Sequence, residues 1–214
     1  VEHQDEPAKL YHIRYLREDG RGQVTVATSR PETLLGDVAV AVNPKDKRYD
    51  QLIGKLLLLP IVRRPIPVIG DDSVDAEFGT GALKVTPGHD PVDFEIGQRH
   101  GLPTITAINL DATMNQMAGP YEGMDRFQCR ESIVNDLERE GLLEKVELYS
   151  HSIGHCYRCQ HVVEPLVSQQ WWLRMAPIAD PAIKAVTSGQ IRIIPKRFVR
   201  TYLNWMENIR DWCI

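Results

Sequence analysis

The segment GTGALKVTPGHDPVDFEIGQRHG, residues 79–101, constrains the fold of this chain more than any other stretch. Within it, ALKVT alternates with the period of two that a β-strand requires, so Lys84 and Thr86 share one face. A Pro-Gly pair ends this strand. Asp90 then occupies the position of a helix N-cap, with Pro91 at the first helical position. We therefore predict a strand, a tight turn and a helix that runs to about His100 and stops at the glycine after it.

Further strand and helix patterns surround this segment. LYHIRYL and QVTVAT flank the turn sequence REDGRG, which indicates a β-hairpin. VAVAV, LLLLP, IPVIG and PTITAI are typical of strands, whereas KRYDQLIG predicts a short helix and DRFQCRESIVNDLEREG a longer one. The fold class predicted for residues 1–149 is therefore α/β: a strand-rich, barrel-like sheet with packed helices.

The character of the sequence changes after residue 149. Residues 150–170 contain the short Cys/His-rich stretch SHSIGHCYRCQHVVEP, which predicts a small knuckle. Residues 171–214 give a helix, a strand at QIRIIP and a second helix. We predict three parts, with boundaries at 149/150 and 170/171.

Composition excludes several classes of protein. The net charge of -4 provides no overall basic field for nucleic acid, so any RNA contact must be local. No apolar run reaches 18 residues, and no signal peptide is visible, so we expect no membrane association and a cytoplasmic location. We expect the four cysteines to be reduced, and the chain to be a monomeric fragment of a larger protein.

The strand-turn-helix segment carries a candidate site. Lys84 and Thr86 leave the end of a strand, and Asp90 and Asp93 share one side of the first helical turn. Three interpretations are open from the residues alone. Asp90 and Asp93 could serve only as a cap and a dipole partner, they could join His89 around a metal ion, or they could hold a cationic ligand.

A second polar turn, ATSRPETLLGD, follows the strand QVTVA. It supplies Thr28, Ser29, Arg30 and Thr33. Several hydroxyl groups near an aspartate suit a small polar ligand that carries a hydroxyl of its own. The structural alternative is a Ser/Thr-rich turn that caps a short helix at Glu32.

Taken together, the two stretches resemble a known family. ATSRPETLLGDVAVAVNP followed by EFGTGALKVTPGHDPVDFEIGQRHGL is closely similar to the inserted editing domain of valyl-tRNA synthetases, within the class I aminoacyl-tRNA synthetases. The similarity continues through CYRCQHVVEPLVSQQWW to NWMENIRDWCI and covers essentially the whole chain. It implies that residues 171–214 return to a catalytic domain of an ATP-binding parent enzyme that acts in protein biosynthesis.

The resemblance also implies a function, proofreading by hydrolysis of threonine wrongly esterified to tRNA(Val). The partner would be the 3′ CCA end of that tRNA carrying threonine, and no cofactor would be needed. A catalytic set of four residues follows by match to the family motif: Asp93, Asp90, Lys84 and Thr86. Asp93 would bind the α-ammonium group, and Lys84 could stabilise the developing oxyanion. The substrate-binding set would be Thr28, Ser29, Arg30 and Thr33, together with Asp93. Water, positioned by protein groups and a ribose hydroxyl, would be the attacking group.

Two features bear on the family resemblance. Ser29 stands where the family often has a threonine, so the hydroxyl is kept and the methyl group is lost. Cys156 and Cys159 form half of a structural zinc site, which ligands outside this chain would have to complete.

The rival functions are a non-catalytic module that binds the aminoacyl-tRNA 3′ end, and a metal-dependent phosphohydrolase built on His89 and Asp90.

Overall fold

The computed structural model describes residues 1–214, apart from the side chain of His151. Contacts group the chain into two compact units, residues 1–167 and 168–214. The predicted three-part division stays a prediction, although one strand runs through its first boundary. None of the described helices has the length and apolar content that a membrane crossing requires.

The first unit is built on one seven-stranded sheet. Its strands are β1 (Glu2–Arg17), β2 (Gln23–Thr28), β3 (Ala39–Val42), β4 (Leu56–Leu58), β5 (Pro65–Gly70), β6 (Ala82–Val85) and β7 (Leu143–His155). The order is β2-β1-β4-β5-β3-β6, with β7 also paired to β1. Among the strand pairs that the structure describes, only β3–β5 is parallel. Because β2 and β6, at the two ends of this order, lie against each other, the sheet nearly closes into a barrel. This confirms the predicted fold class.

Helices pack onto this sheet. They are α1 (Pro91–His100), α2 (Arg126–Arg139) and three 3-10 helices, Pro31–Gly36, Asp50–Leu52 and Gln116–Tyr121. The larger apolar core combines side chains of the sheet with the inner face of α2, including Ile13, Val26, Leu57 and Ile133. A smaller cluster joins β3 and β6 to Ile96 of α1.

The second unit is small. It contains β8 (Trp172–Leu173), α3 (Ala176–Thr187), α4 (Phe198–Glu207) and β9 (Trp212–Cys213), and β8 pairs with β9. The two predicted helices are confirmed. The strand predicted at QIRIIP is wrong, because the backbone N–H of Ile191 bonds to the Ala185 carbonyl at the end of α3 and no strand pairs with this stretch among the described residues.

The strand predicted at PTITAI is also wrong. This segment lies against the turn after β6, where the carbonyl oxygen of Ile105 comes so close to Gly88 that a Cβ atom there would clash with it. It pairs with no neighbouring strand beyond the single bridge of Ile108 to Met114, and two of its backbone groups bond to side chains. The N–H of Ala107 donates to His89 Nε2 at 2.9 Å, and the carbonyl of Thr106 accepts from Asn115 Nδ2 at 2.8 Å.

Candidate active site

A cavity of about 400 Å³ lies where the two polar turns meet. The turn after β2 provides Thr28, Ser29, Arg30 and Thr33, and the segment from β6 to α1 provides Lys84, Thr86, His89, Asp90 and Asp93. All eight residues proposed from the sequence for catalysis and substrate binding therefore line one cavity, together with His89. The catalytic and binding roles assigned to them remain predictions.

Helix capping positions the two carboxylates at the start of α1. Asp90 has extended backbone angles, and its Oδ1 accepts hydrogen bonds from the N–H groups of Val92 at 2.8 Å and Asp93 at 3.1 Å. Asp90 is thus the predicted N-cap, and it still lines the cavity. Pro91 begins the helix, and Gly101 ends it in the left-handed conformation at φ 63°. The capping interpretation and the binding interpretation are therefore compatible for Asp90.

Asp93 is buried and faces β6. Its Oδ2 accepts a hydrogen bond from the backbone N–H of Thr86 at 2.8 Å. Its Oδ1 accepts no hydrogen bond within the part of the chain that the structure describes, so this oxygen is left for a ligand. Burial raises the pKa of Asp93 to about 7, against the lowering effects of the Lys84 ammonium group and the Thr86 N–H. The carboxylate form therefore benefits from a cationic partner in the cavity.

Lys84 is the centre of the polar floor. Its ammonium group donates to Thr33 Oγ1 at 2.8 Å, to Thr86 Oγ1 at 2.6 Å and to Asp37 Oδ1 at 3.3 Å. Since an ammonium group has three N–H donors, all three are engaged by protein oxygens. Lys84 could act on an ester oxyanion only by giving up one of these bonds, and the one to Asp37 is the longest.

The two threonine hydroxyls have fixed orientations. Thr33 donates its proton to the carbonyl of Arg30 at 2.9 Å, and Thr86 donates its proton to Asp37 Oδ1 at 2.5 Å. Each hydroxyl also accepts from Lys84. A hydroxyl oxygen has two lone pairs, so each threonine keeps one free acceptor position. The floor of the cavity is therefore built to receive hydrogen-bond donors.

Arg30 and Thr28 shape the mouth of the cavity. Thr28 Oγ1 accepts from the backbone N–H of Arg30 at 3.1 Å. The Arg30 guanidinium donates to the carbonyl of His89 at 3.0 Å and pairs with Glu164 at 3.2 Å. Arg30 also lines two neighbouring cavities, of about 670 and 260 Å³. A ligand longer than this cavity would therefore extend past Arg30 into the neighbouring cavities.

His89 is neutral and bonded to protein. Its Nε2 accepts the N–H of Ala107, so the ring proton is on Nδ1. Burial, with the nearby charges of Arg30 and Lys84, lowers the pKa of His89 to about 4. The Nε2 lone pair is therefore not available to a metal ion without loss of that bond. Within the described residues no three His, Cys, Asp or Glu side chains are placed to hold a metal. The metal interpretation of His89 and Asp90 gains no support from this geometry.

The Cys156-x-x-Cys159 segment forms a tight turn after β7. The backbone N–H of Cys156 donates to the carbonyl of His161, and the N–H of Gln160 donates to the carbonyl of Cys156. Backbone N–H groups of Cys159 and Arg158 lower the pKa of the Cys156 thiol. The predicted zinc half-site stays a prediction.

Sequence reasoning did not select Asp37 as a site residue. Its carboxylate is fully buried beneath the cavity, where it contacts Lys84, Thr86 and Tyr15. The available signal was an acidic residue between two apolar runs, in LLGDVAVAV. A buried carboxylate at such a position requires partners, and the sequence contains Lys84 and Thr86 as candidates.

Comparison with known proteins shows the family of the chain. The family model for class I tRNA synthetases (I, L, M and V) matches residues 21–214. The chain belongs to the class I tRNA synthetases. It is 58% identical over all 214 residues to the valine–tRNA ligase of Carboxydothermus hydrogenoformans and 59% identical to that of Dehalococcoides mccartyi strain 195. The matched region is 24% of the length of each of these relatives. The chain therefore spans about a quarter of the proteins it resembles, and the resemblance to the valine branch is confirmed.

A solved structure shares the fold. The LeuRS of Agrobacterium radiobacter K84, solved in a ternary complex with tRNA and LeuAMS, aligns with a TM-score of 0.53. The alignment covers 74% of this chain and 24% of that one, at 18% sequence identity. At this identity the likeness concerns the fold alone.

Proposed function

We propose that this chain hydrolyses threonine that has been wrongly esterified to tRNA(Val). The observation that carries the proposal is the acceptor floor of the cavity. Thr33 and Thr86 each give their proton to protein and keep one free lone pair, and Asp93 Oδ1 is free beside them. A ligand that fits must bring donors, namely an ammonium group and a hydroxyl.

The relatives suggest which amino acid brings those donors. Their name is valine–tRNA ligase, and threonine has nearly the shape of valine with a hydroxyl in place of one methyl group. Bound threonine would donate its hydroxyl proton to Thr33 or Thr86. Bound valine has no such donor, so the one free acceptor position that the threonine hydroxyl would fill stays empty, at a cost of about 1 kcal/mol, the net contribution of one hydrogen bond. The cavity thus favours the erroneous product over the correct one.

The chemistry needs only water and the charges present. Asp93 Oδ1 would hold the α-ammonium group and so fix the ester carbonyl next to Asp90 and the threonine hydroxyls. Water would add to that carbonyl, and collapse of the tetrahedral intermediate would release threonine and the free ribose hydroxyl of the tRNA 3′ end. Asp90 keeps its Oδ2 for positioning the water, since Oδ1 caps α1. Arg30 would contact the terminal nucleotide, because it connects this cavity with the adjacent larger one.

The test is hydrolysis of threonyl-tRNA(Val) and valyl-tRNA(Val) in the presence of EDTA, for wild type and Asp93→Ala. We expect turnover that is selective for threonine, insensitive to the chelator and reduced at least about 100-fold in Asp93→Ala, since the charge-assisted bond to the ammonium group is lost. Asp19→Ala, at an exposed turn, is the matched control and should retain full activity.

The same assay separates the alternatives. If the isolated chain is inactive, it should be inserted into the Carboxydothermus valine–tRNA ligase in place of the matching segment, and the chimeric enzyme should be tested. Inactivity in both settings would contradict the proposal. Binding of the aminoacyl-tRNA 3′ end without turnover would favour the non-catalytic module, and chelator-sensitive cleavage of a phosphoester would favour the metal-dependent phosphohydrolase.

A further inference from the structure

Asp37 lies beneath the cavity and does not line it. Its side chain is 0% exposed. Oδ1 accepts from Thr86 Oγ1 at 2.5 Å and from Lys84 Nζ at 3.3 Å, and Oδ2 accepts from the hydroxyl of Tyr15 at 2.7 Å. Arg64 bonds to the backbone carbonyl of Asp37 at 2.7 Å rather than to its carboxylate. Lys84 is therefore its paired cation among the described residues.

A buried carboxylate lowers the stability of the fold unless charges and hydrogen bonds compensate for its lost hydration. Burial raises the pKa of Asp37, and the Lys84 charge and three hydrogen bonds oppose that rise. The same burial, together with the Asp37 charge, raises the pKa of the Tyr15 phenol well above its ordinary value. Tyr15 therefore stays protonated and can only donate to Oδ2. Both oxygens of Asp37 are then acceptors whose partners are fixed, and the Thr86 hydroxyl must donate.

We infer that Asp37 is a positioning residue that sets the preference of the cavity for a hydroxyl-bearing aminoacyl group, although it does not touch that group. It draws the Thr86 proton away from the cavity and holds the Lys84 ammonium group in reach of both threonines. Without this anchor, the Thr86 hydroxyl could turn its proton toward the ligand and would oppose the donor of the substrate hydroxyl. The inference rests on the proposed function.

Asp37→Asn is the informative variant because it keeps the size of the side chain and removes its charge. The amide has one acceptor oxygen for three donors, so Thr86, Lys84 and Tyr15 compete for it. We expect kcat/KM for threonyl-tRNA(Val) to fall about tenfold, the difference between a charged and a neutral hydrogen bond, while slow hydrolysis of valyl-tRNA(Val) changes less than about threefold. The threonine-to-valine ratio is the decisive readout, because partial unfolding would lower both rates equally.

The matched control is Asp71→Asn. Asp71 is another buried carboxylate, which pairs with Arg99 and His100 and does not line the cavity. Its variant should lower stability and leave the threonine-to-valine ratio unchanged. An unchanged ratio in folded Asp37→Asn, with an active wild type, would overturn the inference while leaving the proposed function intact.

A measurement on wild type keeps the inference testable if Asp37→Asn does not fold or the chain is inactive. In protein labelled with carbon-13 at threonine, the Thr86 hydroxyl proton should be visible by proton NMR, correlated with its own methyl group, because a buried bond to a carboxylate slows exchange with water. A Thr86 hydroxyl that exchanges as fast as an exposed one would show that Asp37 does not hold its proton, and would refute the inference independently of activity.

Discussion

At the scale of the residue, the site contains carboxyl groups that folding makes costly to ionise. Asp93 has one hydrogen bond from Thr86 and a buried environment, and its pKa is raised to about 7. Ionised Asp93 is nevertheless the group that an ammonium ligand requires. Stability and ligand binding therefore make opposite demands on this residue, which is a common property of active sites.

The first prediction concerns Asp93 and pH. The carboxyl is protonated in both folded and unfolded chains below about pH 4, whereas between about pH 4 and 7 only the unfolded chain is ionised. Rising pH therefore lowers the free energy of unfolding until the folded carboxyl ionises near pH 7. Asp93→Asn should match wild type near pH 4 and exceed it above pH 7, by about 4 kcal/mol at most. Urea denaturation at several pH values measures the difference.

Activity gives the opposite trend for the same group. If ionised Asp93 binds the substrate ammonium group, kcat/KM for the threonyl ester should rise with pH as Asp93 ionises near pH 7 and fall again once the α-ammonium group loses its proton. A stability difference between wild type and Asp93→Asn that does not depend on pH would contradict the assignment of this pKa to Asp93.

At the scale of the element, the first turn of α1 positions two carboxylates of the cavity, those of Asp90 and Asp93. Asp90 satisfies two backbone N–H groups at the helix start, and Gly88 allows the residues around Ile105 to approach the turn closely. The cap thus fixes the direction of α1 and, with it, the position of Asp93 against β6. One residue, Asp90, combines a structural role with a place in the cavity wall.

The two roles of Asp90 can be separated by substitution. Asp90→Ala should lower the free energy of unfolding by about 1 kcal/mol, because the cap is lost, whereas Asp90→Asn keeps an acceptor oxygen and should change it by less than about 0.5 kcal/mol. Thermal or urea denaturation tests this ranking. If Asp90 acts in hydrolysis through its charge, Asp90→Asn should lose threonyl-ester hydrolysis at unchanged stability. Retained activity in a stable Asp90→Asn variant would limit Asp90 to capping.

At the scale of the first unit, a buried ionic network joins distant parts of the chain. Arg130 of α2 binds both oxygens of Glu32 at 2.7 Å, and Glu164 contacts Arg130, Arg126 and Arg30. Glu32 is fully buried in the 3-10 helix that precedes Asp37. The network therefore holds the turn that carries Arg30 and Thr33 against α2 and against the segment after the Cys156 turn.

Removal of one partner from this ionic network should lower the free energy of unfolding. Arg130→Met leaves the buried Glu32 carboxylate with only Arg30 nearby, at 3.4 Å, and should lower the free energy of unfolding by about 3 kcal/mol. Arg139→Met is the control on the same helix. Its exposed pair with Asp136 should contribute less than about 1 kcal/mol. Equal losses in the two variants by urea denaturation would mean that the network contributes no more than a surface ion pair.

Short-range patterns in the sequence were sufficient for the elements that hold the site. The hairpin around Asp19-Gly20, strand β6, the Asp90 cap and the end of α1 at Gly101 follow from alternation, capping and turn chemistry, which act between residues close in the chain. The family motif and these elements together were enough to identify the candidate residues of the cavity from the sequence.

Only the tertiary structure decided which groups are buried together. The stretch 103–108 has the composition of a strand, but its backbone bonds to His89 and Asn115. β7 was not predicted, since its polar sequence becomes a strand by pairing with β1. The sequence alone thus determined the local elements, the family and the residues available to the site. The tertiary structure decided that Lys84 is saturated and that Asp37 lies beneath it, because burial and the choice of hydrogen-bond partner depend on residues about 50 positions apart that meet only in the folded chain.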